Sequence, residues 1–210
     1  MADTGCREAI AGGILVGLTA LVGLYFRARP GETFLDRWGA TLLHPAHAHS
    51  RWSLVADLRS VPFLVGGSIL AALVVVSRDR WRAFACLVAP TLAVLLTEYV
   101  LKPLVGRRLA EVLSFPSGTT TVVGSIAMVW IIAVPGRIRP AIVIVSTFVV
   151  ALEYMAVVAL QWHFPSDALG GAVFGAGVVL LVDGLLHLAV VAVRRRILGT
   201  SGPGISSATS

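Results

Sequence analysis

Charged side chains are scarce in this sequence. Of its 210 residues, 13% are charged and 57% are hydrophobic, whereas about a quarter of the residues in an ordinary soluble domain are charged. So few charges cannot cover a water-facing surface, so the composition excludes a soluble enzyme. The sequence instead predicts a polytopic integral membrane protein that forms one helical bundle.

Cysteine is nearly absent, and no nucleic-acid-binding pattern occurs. Two cysteines, Cys6 and Cys86, are too few for a disulfide framework. The net charge is +6, but the basic residues form short clusters between apolar stretches, without a basic face interleaved with aromatic residues. Nucleic acid is therefore not an expected partner, and the lipid bilayer is.

Long apolar segments are abundant. A transmembrane helix needs about 20 mostly apolar residues, and backbone groups in lipid must be paired within the segment. We therefore expect an all-α bundle over residues 1–198 and a disordered, Ser/Gly-rich cytoplasmic tail over residues 199–210. Six transmembrane helices are predicted, the fourth of them short, over residues 9–26, 60–77, 83–101, 119–134, 141–160 and 168–193.

The distribution of Lys and Arg predicts the orientation, because short loops rich in these residues stay in the cytoplasm. One set of helix ends carries nine of the 17 basic residues, in short loops and a tail. The other set carries eight, spread over a long loop and one cluster. We therefore expect both termini in the cytoplasm, and the loops over residues 28–59, 104–116 and 161–165 outside.

Two polar segments on the predicted outer face indicate an anion site. Lys102, Arg107 and Arg108 place three positive charges within seven residues beside the apolar boundary, where uncompensated charge is costly. Ser117 and Gly118 begin the fourth predicted helix, whose first N–H groups lack intrahelical partners and attract a phosphate. Each segment has a simpler alternative, as a headgroup anchor or an ordinary helix N-cap.

A third segment on the same face holds a histidine and a carboxylate. His163 and Asp167 are four residues apart, so their side chains can meet on one helical face. A carboxylate that binds one imidazole nitrogen leaves the other free as nucleophile or base. The alternative is an interfacial loop histidine beside a helix-terminal charge. Together the three segments describe a phosphate-ester site.

The three segments resemble the signature motifs of the type 2 phosphatidic acid phosphatase superfamily, which includes membrane lipid phosphatases with six helices. The resemblance covers roughly residues 98–171 in motif terms and the whole chain in helix count. It implies a bacterial plasma-membrane protein with its active site outside the cytoplasm. The matching residues are Lys102 and Arg107 for the first motif, Pro116, Ser117 and Gly118 for the second, and His163 and Asp167 for the third.

The resemblance implies a role for each matching residue. In this superfamily the third-motif histidine is a nucleophile that forms a phosphohistidine, and the third-motif aspartate orients it. His163 and Asp167 hold these positions here. The implied substrate is a membrane lipid phosphate, with no metal and no cofactor. The implied phosphate-binding residues are Lys102, Arg107, Arg108, Ser117, Gly118 and Thr119.

Three motif positions differ from the superfamily pattern. Leu109-Ala110 replaces a terminal Arg-Pro, Thr119 replaces the general-acid histidine, and Ala156-Val157 replaces a Ser-Arg pair. A general acid contributes about 10²–10⁴-fold, and it matters most when the leaving group is strongly basic. A diphosphate releases weakly basic phosphate. The sequence therefore favours a diphosphate lipid, such as a polyprenyl diphosphate, over phosphatidic acid.

Another histidine is a candidate for the missing acid. His44, His47 and His49 lie in the first outer loop, on the same predicted side as His163. A histidine-rich tract also suggests metal binding, but this spacing fits no zinc pattern. A solvated interfacial loop is the simpler interpretation.

Four further ionisable residues lie inside predicted helices, where such groups are functional candidates. Glu98 lies one turn before Lys102, a spacing that favours an ion pair. Asp183 and His187 share one face and indicate a contact between helices. Glu153 is either a proton donor or a partner for an arginine of the first outer loop.

The leading functional expectation is a lipid phosphate or diphosphate phosphohydrolase. A catalytically silent relative, which binds phospholipid or serves as a subunit of a membrane complex, is the main alternative. A transporter is a weaker one, because no broken helix pair or inverted repeat is visible. Turnover of a lipid phosphate distinguishes the first class from the other two.

Overall fold

The computed structural model describes residues 2–42 and 49–199, and this part of the chain is mostly helical. It also contains a 3-10 turn at Asp57–Arg59 and a π-helical turn at Thr97–Leu101. The strands β1 (Arg108–Leu109) and β2 (Val112–Leu113) form a small antiparallel hairpin. The helices are α1 (Ala2–Ala28), α2 (Phe34–Leu42), α3 (His49–Ala56), α4 (Val61–Val75), α5 (Arg80–Leu96), α6 (Lys102–Val105), α7 (Gly118–Ala133), α8 (Arg139–Ala159) and α9 (Pro165–Gly199).

Four helical stretches within the described residues are long and apolar enough to cross a membrane. Trp52–Arg59 and Val61–Val75, bent by 58° against each other, make a fifth if they count as one span. Gly118–Ala133 is a shorter apolar helix. Each predicted segment thus lies on a helix. By helix length and apolar composition, however, only four or five of the described segments are long enough to be spans, rather than six. The four long stretches are Asp3–Ala28, Arg80–Val105, Arg139–Ala159 and Pro165–Ile197.

The structure differs from two expectations outside the spans. The predicted outer loop over residues 28–59 contains α2, α3 and the 3-10 turn. The predicted tail begins at Gly199, which is the last residue of α9. The rest of that tail, residues 200–210, lies outside the described residues.

Local sequence explains several helix ends. Asp79 caps α5, because its carboxylate accepts hydrogen bonds from the backbone N–H groups of Trp81 and Arg82, both at 3.0 Å. Gly106 ends α6 with a φ of 69°, a left-handed conformation that glycine adopts without strain. Ser117 caps α7 by accepting from the Thr120 N–H.

Helices α7 and α9 form the centre of the bundle. Helix α9 packs along α1, α7 and α5, while α7 also contacts α4, α5 and α8. The α1–α9 contact is close because Gly12 has no side chain: a β-carbon there would overlap backbone atoms of Gly177 and Leu181. Small residues at such interfaces allow helices in lipid to approach closely.

A network of charged side chains ties α1, α5 and α9 together at the end of the bundle opposite the hairpin. Arg82 Nη2 lies 2.8 Å from Glu8 Oε1 and 2.8 Å from Asp183 Oδ2. His187 Nε2 lies 2.7 Å from Asp79 Oδ2. The predicted contact of Asp183 and His187 with another helix is confirmed, since both bind residues at the start of α5.

Candidate functional site

A pocket of about 560 Å³ lies where α6, the hairpin, the first turn of α7 and the α8–α9 connection meet. All three segments that the sequence singled out contribute to its wall. The predicted site residues that line it are Lys102, Gly118, Thr119 and His163. The other polar or aromatic lining residues are Arg59, Glu98, Gln161 and Trp162.

Within the described residues, one hydrogen bond holds His163 and fixes its tautomer. Its Nδ1 lies 3.0 Å from the carbonyl oxygen of Ser114. A carbonyl oxygen only accepts, so Nδ1 carries the proton and donates, and Nε2 keeps a lone pair. His163 lies in the short connection between α8 and α9 and is partly exposed to the pocket. The arrangement leaves a neutral imidazole with one unprotonated nitrogen.

Burial keeps this imidazole neutral. Desolvation is the largest cause that lowers the pKa of His163 to about 4, and the positive charges of Lys102 and Arg59 act in the same direction. The hydrogen bond to Ser114 raises the pKa by less. Near pH 7 the ring is therefore neutral, which is the state in which an imidazole nitrogen can act as a nucleophile.

Lys102 is paired with Glu98, as their spacing predicted. The ammonium Nζ donates to Glu98 Oε1 at 2.8 Å and to Oε2 at 2.9 Å. The lysine side chain is 12% exposed and the glutamate side chain 39%. Both groups line the pocket, so this confirmed ion pair lies at the candidate site itself.

The first turn of α7 forms another part of the pocket wall. Gly118 and Thr119 line the pocket, whereas Ser117 is fully buried behind them as the N-cap. The Ser117 N–H donates to the Asp167 carbonyl oxygen at 3.0 Å. Thr120 Oγ1 donates to the carbonyl oxygen of Ala168 at 2.7 Å. The start of α7 is thus fastened to the start of α9.

Arg107 is fully buried and lies behind the pocket rather than in its wall. A guanidinium has five N–H donors, and Arg107 makes five hydrogen bonds. These are Nε to Pro30 O (3.4 Å), Nη1 to Ser166 Oγ (2.8 Å) and to Asp167 Oδ1 (2.5 Å), and Nη2 to Gly31 O (3.1 Å) and to Asp36 Oδ2 (2.7 Å).

This arrangement differs from the phosphate-binding role that the resemblance implies for Arg107. No donor of the guanidinium is left for a phosphate, and the group stacks between Phe26 and Phe164, with ring centroids 3.8 Å and 4.4 Å away. Arg107 instead connects three parts of the chain: the segment before α2, α2 itself, and the start of α9. The physical reason is Asp36, a buried carboxylate on α2 that the sequence did not connect with this site.

Asp167 also has partners other than the expected one. Its carboxylate accepts from Arg107 and from the backbone N–H of Phe164 at 3.2 Å. Among the described residues, no hydrogen bond joins Asp167 to His163. The two do not share a helix, because α9 begins at Pro165, after the histidine. Asp167 therefore affects His163 only indirectly, by fixing the connection that carries the histidine.

The remaining candidates lie away from the pocket or outside the described side chains. Arg108 is exposed in β1 and donates to the Glu111 carbonyl oxygen at 3.0 Å. His44 and His47 lie outside the described residues, and only the backbone of His49 is described.

Glu153 lies inside α8 and does not line this pocket. It is fully buried, and neither of its carboxylate oxygens has a hydrogen-bond partner among the described residues. The two roles that the sequence left open for it, proton donor or arginine partner, remain open.

Backbone strain is concentrated at the pocket. Among the described residues, the non-glycine residues with positive φ are Ala110, at 51°, and Gln161, at 58°. Both line the pocket. Non-glycine residues in this region carry strain that tends to accumulate at functional sites, so the two conformations support this pocket as the site.

One group of metal-ligand type occurs in the described part of the chain, at the other end of the bundle. Candidate ligand atoms of Glu8, Asp183 and His187 lie within 4.8 Å of one another. Arg82 already supplies the positive charge there, and Asp79 binds the imidazole. The group is a closed ion-pair network.

Comparison with known proteins adds no relative: no family model, no curated protein and no solved structure matches this chain. Sequence reasoning also missed several contributors to the site. Ser114 has no motif that marks it, and Arg59 was one of eight basic residues on the predicted outer side. Their proximity to His163 is a product of the tertiary fold.

Proposed function

We propose that this protein is a membrane phosphohydrolase that removes phosphate from a lipid phosphate or diphosphate through a phosphohistidine on His163. The proposal includes six membrane-spanning helices, with both termini in the cytoplasm and the pocket outside, in a bacterial plasma membrane. It places α7 among the spans because this 16-residue helix is almost wholly enclosed by its neighbours. A helix inside protein does not need the full thickness of the bilayer.

The observation that carries the proposal is the state of His163. Its Nδ1 is committed to Ser114, its Nε2 has a lone pair, and the ring lines a pocket with cationic groups. A neutral, oriented imidazole beside cations is suited to attack an anionic phosphorus centre. A packing histidine would need neither the pocket nor the cations.

Three groups would hold the phosphoryl oxygens. Lys102 and Arg59 supply positive charge at the pocket wall, and the first N–H groups of α7 supply donors at a helix N-terminus. The guanidinium of Arg59 stacks over the ring of Trp162, 4.7 Å from its centroid. This contact keeps Arg59 at the pocket rim, close to the connection that carries His163.

The reaction has two steps. In the first, the Nε2 lone pair forms a bond to phosphorus, and the bond from phosphorus to the leaving oxygen breaks. In the second, water attacks phosphorus, the P–N bond breaks, and the imidazole regains its lone pair. Thr119 stands where the resemblance expects an acid, and a threonine hydroxyl is a poor proton donor. Without another donor, a diphosphate lipid is the preferred substrate.

An apolar groove beside the pocket supports a lipid substrate. The groove has a volume of about 560 Å³ and lies between α4, α7 and α8. On α7, Thr119 lines the pocket, and Val123, one turn further, lines the groove. A headgroup in the pocket would thus have its hydrocarbon chain directed along α7 into the groove.

The test is phosphate release in detergent from polyprenyl diphosphate, phosphatidic acid and phosphatidylglycerol phosphate. His163→Ala removes the nucleophile. His163→Asn removes it too but keeps an N–H that can donate to Ser114, so this variant should unfold at the wild-type temperature. Release that disappears in both variants supports the proposal.

A second candidate is a silent lipid-binding relative or a subunit of a membrane complex. Lys102 is bound by both oxygens of Glu98, and this occupied cation favours the alternative. Binding of the lipids without phosphate release in the wild type would establish it and would overturn the hydrolase.

A further inference from the structure

Glu98 occupies the part of the pocket that best suits an anion. Its carboxylate accepts two hydrogen bonds from Lys102. It also lies against the first residue of α7, because a β-carbon on Gly118 would overlap Oε1 of Glu98. A helix N-terminus and an ammonium group both attract negative charge. The carboxylate thus holds the place where a phosphoryl group would bind.

The same carboxylate is free to move. Its hydrogen bonds within the described residues go to Lys102 alone, and its side chain is 39% exposed. Solvent therefore reaches the glutamate side of this ion pair and weakens it. A phosphoryl group carries more negative charge than a carboxylate and makes more hydrogen bonds, so it can take over Lys102 and the α7 amides.

We propose that Glu98 is the proton donor of the reaction: a bound phosphoryl group displaces it from Lys102, and it then gives a proton to the leaving oxygen. This inference rests on the proposed hydrolase and extends its substrates to lipid phosphomonoesters. Two anionic groups beside one cation repel each other, and this repulsion falls when one of them takes up a proton. Among the described residues, the other charged or titratable groups that line the pocket are Lys102, Arg59 and His163, and none of them has a carboxyl group.

Over the whole cycle, the protein takes up one proton and releases one proton. Displaced Glu98 takes one proton from solvent. His163 Nε2 bonds to phosphorus, the bond to the lipid oxygen breaks, and that oxygen receives the proton and leaves as an alcohol. Glu98, again a carboxylate, pairs with Lys102 once more. Water then attacks phosphorus, the P–N bond breaks, and phosphate departs with one proton of the water while the other proton goes to solvent.

The experiment compares two leaving groups. Phosphatidic acid releases a strongly basic alkoxide that needs a proton, whereas p-nitrophenyl phosphate releases a weakly basic phenolate that does not. Glu98→Gln should lower turnover of phosphatidic acid by about 10²-fold or more and should change turnover of p-nitrophenyl phosphate far less. Turnover of polyprenyl diphosphate should also be retained, so the variant becomes selective for the diphosphate.

Two further variants complete the design. Lys102→Gln should reduce both reactions to the same extent, because the cation binds either phosphoryl group. Glu111→Gln removes the same charge from an exposed residue of the hairpin and should change neither. Equal losses of both reactions in Glu98→Gln would overturn the donor and leave a residue that positions Lys102. No release from any substrate in the wild type would overturn both the donor and the hydrolase.

Discussion

Two residues at the pocket end of the bundle show that burial can be opposed or reinforced by neighbouring groups in setting a pKa. The pKa of His163 falls to about 4 because burial disfavours the imidazolium and two nearby cations repel it. Burial also acts most strongly on Asp36 and would raise its pKa, but hydrogen bonds from Ser166, Thr33 and Arg107 outweigh it, so the pKa is lowered. The protein therefore keeps the histidine neutral and the aspartate ionised at neutral pH.

Replacement of Lys102 should make His163 easier to protonate. Lys102→Gln removes a positive charge that lowers the pKa of His163, so we expect the pKa to rise from about 4 toward its ordinary value of about 6.5. Diethyl pyrocarbonate modifies the neutral ring, and mass spectrometry of the peptide with His163 gives its extent at each pH. Modification should fade at a higher pH in the variant than in the wild type.

Arg108→Gln is the matched control for this titration. It removes one positive charge from an exposed arginine outside the pocket and should leave the midpoint unchanged. An unchanged midpoint in Lys102→Gln as well would contradict the electrostatic contact between the lysine and the histidine.

Single residues were predictable from the sequence where the contact is local. The Glu98–Lys102 pair follows from a spacing of four residues and is present. The environment of Arg107 was not predictable, because its carboxylate partners lie 71 and 60 residues away along the chain. Spacing along the sequence carries no information about contacts between residues so far apart. The prediction that Arg107 binds phosphate therefore rested on the motif alone.

At the scale of helices, the apolar runs gave the positions of the long elements but not their full lengths. Helix α1 begins at Ala2 and α9 continues to Gly199, because polar residues extend a helix beyond its apolar part. The short helices α2 and α3 were missed. Their polar and aromatic residues form no run long enough to cross a membrane, so the region was predicted as a loop.

The close contact between α1 and α9 gives a prediction at this scale. Gly12→Ala adds a methyl group where backbone atoms of α9 leave no room, and such overpacking costs about 1–3 kcal/mol. In detergent, the midpoint of thermal unfolding should fall by several degrees.

The neighbouring glycine provides the control. Gly13 has nothing within 4 Å of an added β-carbon, and alanine is the better helix former by about 0.8–1.0 kcal/mol. Gly13→Ala should therefore unfold at or above the wild-type temperature. Equal midpoints for the two variants would mean that α1 and α9 do not touch at Gly12.

For the whole molecule, the two ends of the bundle differ in chemistry. One end has an open pocket with a neutral histidine, and the other has the closed ion-pair network around Arg82. Hydropathy was enough to predict a helical bundle, because apolar length is a property of each segment alone. The pocket depends on how α6, α7 and the α8–α9 connection are placed together, which no segment specifies by itself.

The two native cysteines test the proposed orientation. Cys6 is exposed near the start of α1, whereas Cys86 is buried. If both termini are cytoplasmic, a membrane-impermeant maleimide should label Cys6 in inside-out vesicles and not in intact cells. Cys6→Ser should abolish the labelling, since Cys86 is inaccessible. Labelling of Cys6 in intact cells would reverse the orientation and put the pocket in the cytoplasm.

The buried arginine has a consequence for biogenesis. Asp36, Arg107 and Asp167 come from three segments that a ribosome delivers one after another, and Arg107 reaches its full set of bonds only when the third is present. A nascent chain that ends before α9 has no Asp167 for this arginine and no anchor for the first turn of α7. His163 is the last residue of the pocket lining to be synthesised. The pocket is therefore complete only late, upon docking of the final helix.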